Sequence, residues 1–160
     1  MNLPRVYVET SVISYLCSRP SRDLLVAARQ EATREWWEAR DSMFQPLISN
    51  LVLREAAAGD PSAAARRLEM CRGIARLPID AATETLAKSL LTARAIPASE
   101  PEDALHIALA TLARVDFIAT WNFAHLVGPV AKYQLQNHIL ALGHTPPLLA
   151  TPEELLETLP

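Results

Sequence analysis

Three carboxylates stand where chain elements meet: Glu9 at the end of the β-branched run VYV, Glu55 one turn into the helix after ISN, and Asp103 near the start of the apolar run EPEDALHIALATLA. An acid ending a buried strand is costly without a partner, because desolvation disfavours its charged form. A helix N-terminus, a basic side chain or a metal ion would each supply one. Carboxylates held a few ångströms apart cannot all ionise unassisted, and a hard divalent cation with oxygen ligands is the usual relief. Magnesium or manganese suits a set without histidine or cysteine. Each acid also has a plainer reading: Glu9 paired to a helix terminus or an arginine, Glu55 a helix acid beside Arg54, Asp103 a complement to its helix dipole. His106, three residues after Asp103, shares its helix face and reads either as assisting or as simply packed.

Whether the acids meet depends on the elements that carry them. Residues 5 to 8 have the alternation of a short strand, and Thr10 or Ser11 offers a hydroxyl N-cap for a helix through Cys17. Arg22 to Arg40 has a helical rhythm, in which one of Trp36 and Trp37 is expected in the core and the other facing a partner. Phe44 to Ile48 contains a proline and is at best a short strand, with Ser49 and Asn50 capping a helix from Leu51 to near Gly59. Helices are expected after Asp60 and Pro61, over Ala81 to Ala95 with Pro97 closing it, over residues 100 to 113, and from Pro129 to Leu142. VDFIAT and Leu148 to Ala150 read as strands, and TPEELLE as a capped terminal helix. The alternation argues one α/β domain over residues 1–160, with a central, mostly parallel β-sheet flanked by helices on both faces. In such a sheet the carboxyl ends of strands and the amino ends of the following helices share a rim, so Glu9, Glu55 and Asp103 can converge there. Asp116 precedes its strand and falls at the opposite end.

Composition sets the outer bounds. The 160 residues are half hydrophobic and carry a net charge of −3, a globular profile without a strongly basic coat for nucleic acid. Of the 15 basic residues only Lys88 and Lys132 are lysine, and arginine's planar fork suits bidentate phosphate contacts. No stretch approaches the ~18 uninterrupted apolar residues of a spanning helix, and Glu9 interrupts the one candidate leader, so no membrane association is expected and the cytoplasm is the expected compartment. Cys17 and Cys71 form neither a CxxC pair nor a zinc spacing and are expected as free thiols. A haloacid-dehalogenase-type phosphatase is poorly supported, because its first strand should end in DxD where this one reads ETS.

The order VYVETSVISYL, ISNLVLREA, EDALHIALA and FIATWNFAHL resembles the PIN-domain family and, within it, the VapC-like toxins of bacterial toxin-antitoxin systems, from the first strand to at least His125. The resemblance implies a metal-dependent endoribonuclease, a hydrolase of RNA phosphodiester bonds with Mg2+ or Mn2+ as cofactor. Carried over by position, Glu9, Glu55 and Asp103 are catalytic metal ligands, with Thr10 or Ser11 as the supporting hydroxyl beside them. Two positions depart from the family's pattern. The first acid is usually aspartate and here is Glu9, although relatives beginning VETS are familiar. The fourth acidic position falls in TWNFAHL, where Asn122 takes one candidate place, as a neutral ligand for a water or a phosphate oxygen, and His125 the other, in a supporting role. The absent fourth acid is the best support for the alternative, a non-cleaving PIN-like module that binds RNA or protein. Single-stranded or looped RNA is the implied substrate. A homodimer is implied too, as is an antitoxin lying over the acidic rim and the Arg22 to Arg40 helix.

Overall fold

A computed structural model describes residues 2–122 and 128–157. Five short strands, β1 (Arg5–Val8), β2 (Gln45–Ser49), β3 (Ala75–Leu77), β4 (Phe117–Ala119) and β5 (Leu148–Ala150), form one sheet in the order β3-β2-β1-β4-β5, with every neighbouring pair parallel. Parallel neighbours require crossover connections, and helices supply them. These are α1 (Thr10–Cys17) and α2 (Leu24–Met43) after β1, α3 (Asn50–Ala56) and α4 (Pro61–Met70) after β2, and α5 (Ala81–Thr92) and α6 (Pro101–Leu112) after β3. The helix α7 (Pro129–Ala141) follows β4, and α8 (Pro152–Leu156) follows β5. Val6, Tyr7 and Val8 of the central strand are all fully buried, so both faces of the sheet are covered, as all-parallel sheets require.

The helix starts follow from side chains that accept from otherwise unpaired first-turn amides. Asp23 accepts from Val26 N at 2.9 Å, Ser49 from Val52 N at 3.2 Å, and Asp60 from Ala63 N at 2.9 Å. Asp80 accepts from Thr83 N at 2.9 Å, and Thr151 and Glu154 close a reciprocal capping box at α8. Asp23 explains why α2 begins after Arg22, and the helix runs on to Met43, three residues past the expected end. The strand β3 was not expected. Its three residues, ARL, form an edge too short and too exposed for apolar alternation, and pairing with β2 through Leu47 and Ala75 defines it.

Trp36 is the largest fully buried side chain, 6.1 Å from the Phe44 ring and 6.4 Å from Trp37. Trp37 is partly buried against the same core, with the Arg40 guanidinium 3.9 Å over its ring. The exposed apolar residues of α2 stand instead at its start, at Leu24 and Leu25. Among the described residues no helix is long and apolar enough to cross a membrane. Trp36→Ala should remove about 3–5 kcal/mol of stability, the range for truncating a buried aromatic, and Trp37→Ala clearly less. Urea unfolding of the two variants beside the parent checks the difference; equal losses would mean that Trp36 is not the centre of the core.

Candidate functional site

The sheet order places β2 and β3 on one side of β1 and β4 and β5 on the other, so the chain changes direction of winding between β1 and β4. Crevices for ligands open at the carboxyl ends of strands at such a switch point. Glu9 and Thr120 are the first residues past β1 and β4, and the ladder continues through them: Glu9 N donates to Ala119 O and Thr120 N to Ala150 O, each at 3.0 Å. Glu9 is 3% exposed, and its Oε2 accepts from Ser11 N at 2.6 Å and from the Thr120 hydroxyl at 3.3 Å. Glu9 itself is thus the N-cap of α1, where a hydroxyl from Thr10 or Ser11 was expected. The longer glutamate side chain returns to the first-turn amide and releases both hydroxyls for other contacts. Thr10 Oγ1 donates to Glu55 Oε1 at 2.6 Å, and Ser11 Oγ accepts from Trp121 N at 2.8 Å.

Glu55 projects from α3 to the same rim. His106 of α6, 1% exposed, places Nε2 2.6 Å from Glu55 Oε1 and Nδ1 2.7 Å from the Tyr7 hydroxyl. That hydroxyl lies 2.8 Å from Ser49 Oγ, which caps α3. One buried line of hydrogen bonds therefore joins the start of α3, the middle of β1, α6 and the rim carboxylate. Burial opposes ionisation of Glu55, but the His106 ring, the Thr10 hydroxyl and the Arg54 guanidinium outweigh it and hold the carboxyl below its usual range. Burial raises the Tyr7 phenol far above its ordinary value against the Ser49 hydrogen bond, and Glu9 and Glu55 add to the rise, so Tyr7 is neutral.

Asp103 sits in the first turn of α6, half-buried. Burial and the charges of Glu100, Glu9 and Glu55 push its carboxyl up from 3.8 to about 7, against an opposing pull from His106. Repulsion from both Glu9 and Glu55 reaching Asp103 puts the three acids within one another's field. Asn122 is exposed two residues past Thr120, with its backbone N–H on Thr120 Oγ1 at 3.0 Å. His125 lies outside the described residues. Asp116 accepts from Arg5 N at 2.7 Å beside the start of β1, at the opposite rim, as expected.

The donor types are those a hard divalent cation takes, three carboxylates without thiolate, and the neighbouring histidine is already committed to Glu55. As they stand, no three histidine, cysteine, aspartate or glutamate side chains among the described residues close into a finished ligand group. In comparison with known proteins, the sequence matches no family model and no curated protein.

Sequence reasoning missed Tyr7, Ser49 and Thr120 as parts of the site and left His106 undecided. A signal for Tyr7 exists, since a phenol flanked by two valines in a buried strand must find a polar partner. Nothing local points from Tyr7 to a histidine 99 positions away.

The raised Asp103 carboxyl predicts a pH dependence. Between its ordinary value of 3.8 and its folded value of about 7, the folded chain holds a proton that the unfolded chain has lost. Stability falls as pH rises through that window, and the loss is complete above it. In metal-free buffer Asp103→Asn should flatten this slope and melt above the parent at about pH 8. Parallel melting curves across the window would mean that burial and the neighbouring charges do not raise the Asp103 carboxyl.

Proposed function

We propose that the chain is a metal-dependent endoribonuclease, as its resemblance to the VapC-like toxins of the PIN-domain family implies. One observation carries the reading: Thr10, the residue after Glu9, donates to Glu55 at 2.6 Å at the switch point of a parallel sheet, and the charges of both acids reach Asp103, which burial and its acidic neighbours push up to about 7. Glu9, Glu55 and Asp103 would hold Mg2+ or Mn2+, which when bound lowers the pKa of a water and shields charge developing on the phosphate.

The remaining work belongs to the chain's own groups. Ser11 N–H and the Thr120 hydroxyl fix Glu9, and the Thr10 hydroxyl and His106 fix Glu55. Asn122, exposed two residues past Thr120, would hold a water or a phosphate oxygen with its neutral amide. Arg54, whose charge reaches Glu55, would meet backbone phosphates and position RNA without reading its sequence. The substrate is RNA that presents unpaired nucleotides. The same reading places the protein in the cytoplasm, as a homodimer with a small antitoxin covering the rim and α2.

A second reading, a module that binds without cleaving, draws on the hydrogen bonds already engaging Glu9 and Glu55 and on the lack of a finished ligand group among the described residues. Purified protein should cleave single-stranded RNA with Mn2+ and stop on addition of EDTA. Glu9→Gln keeps an oxygen for the Ser11 amide and removes the charge, so it should fold normally and lose more than about a hundredfold in rate, beyond the loss expected of an outer-shell group. Glu9→Asp keeps the charge with a shorter reach and should retain partial activity. Cleavage that survives EDTA overturns the metal, and RNA binding without cleavage under Mn2+ establishes the second reading.

A further inference from the structure

The line from Ser49 through Tyr7 and His106 to Glu55 does more than fill the core, because each of its ends fixes which atom there donates. At one end Val52 N–H can only donate, so Ser49 Oγ accepts there and keeps its own proton for another partner. At the other end a carboxylate can only accept, so His106 Nε2 must be the donor. With Nε2 as the donor, Nδ1 can accept from the Tyr7 hydroxyl and Ser49 can donate to Tyr7 Oη, so each side chain of the line finds a partner.

We propose that Tyr7 and His106 are positioning residues for Glu55: the Tyr7 hydroxyl holds the His106 ring in one orientation with its Nε2–H toward the carboxylate, and the ring in turn fixes that carboxylate at the divalent-cation site. This deepens the ribonuclease reading and rests on it for the cation. At metal sites generally, outer groups hydrogen-bonded to the ligands fix the ligands' orientation, and loss of such a group lowers metal affinity by about 10–100-fold. Here the ring holds the ligand rather than the ion, so the orienting effect passes from Tyr7 to Glu55 only through His106.

Two measurements test this, and the first needs no metal. Side-chain 15N spectra of the wild-type protein should show a proton on His106 Nε2; a ring protonated at Nδ1 alone overturns the proton order. In the second, Mn2+ alone is titrated calorimetrically into wild type, Tyr7→Phe, His106→Gln and the double variant, each first shown to melt cooperatively. Tyr7→Phe should weaken Mn2+ binding about 10–100-fold. The glutamine of His106→Gln carries its own N–H to Glu55, so adding Tyr7→Phe in that background should change affinity by less than about twofold, the departure from additivity expected of residues acting as one unit. Full additivity, or unchanged affinity in Tyr7→Phe, gives Tyr7 a packing role only and overturns the proposal. A wild type that takes up no Mn2+ overturns the metal reading and the coupling to it. That failure is separable from failure of the proton order, which the metal-free spectra decide.

Discussion

A carboxylate sealed at the end of the central strand is the constraint on which the rest of this molecule depends. Glu9 can remain there only if donors reach it, and the donors come from two directions: the first-turn amide of α1 and the hydroxyl that follows β4. Meeting that demand fixes where α1 begins, how β1 and β4 align past their last ladder pair, and how the chain leaves β4. The exit is then bound again, with Trp121 N on Ser11 Oγ and its indole N–H on Thr33 of α2. The switch point of the sheet is therefore a polar knot surrounded by an apolar core, and its geometry is set by hydrogen bonds as much as by packing.

The same principle places Tyr7. A fully apolar β1 would bury as well, but the phenol gives α6 a specific partner across the sheet, through His106. A buried polar line of this kind adds little net stability, because each bond replaces one to water. It is costly to satisfy wrongly, so it discriminates among alternative packings of α3 and α6 on β1. Fold and site are joined here: the contact that sets α6 on the sheet also ends on the rim carboxylate.

Legibility in the sequence followed the range of the interactions. The bounds of β1 and β5, the cap at Ser49 and the capped start of α8 depend on residues within four positions of one another and were readable, and the start of α4 was placed within a residue, after Pro61 rather than at it. The parallel architecture was readable too, because it follows from the alternation of elements. The three rim acids were identified by their places at element junctions, which is a topological argument and needs no contact. What escaped depended on distant partners. β3 exists because β2 offers it a ladder, and the roles of Tyr7, Ser49 and Thr120 depend on side chains 42 to 111 positions away. Glu9 as a cap was missed for a different reason: hydroxyls stood at the next two positions, and rank order of capping preference favoured them over a glutamate. The backbone turned one residue earlier than that preference suggests.

The extra methylene of Glu9 ties these strands together. An aspartate at a strand end caps at short reach and holds its carboxylate close to its own backbone, whereas glutamate must fold back to the Ser11 amide to do so. Folding back places one oxygen on the helix start and on Thr120, while the acid as a whole still adds to the field that lifts Asp103. At the rim, hydrogen bonds engage Glu9 and Glu55, while burial and the charges of Glu100, Glu9 and Glu55 raise the Asp103 carboxyl. A divalent cation binding only the folded chain would offset those charges and add stability by mass action, about 2.7 kcal/mol at a hundred times its dissociation constant. Among the three acids, Asp103 is therefore the one whose protonation answers to the other two, and its contribution to stability falls as pH rises toward neutrality.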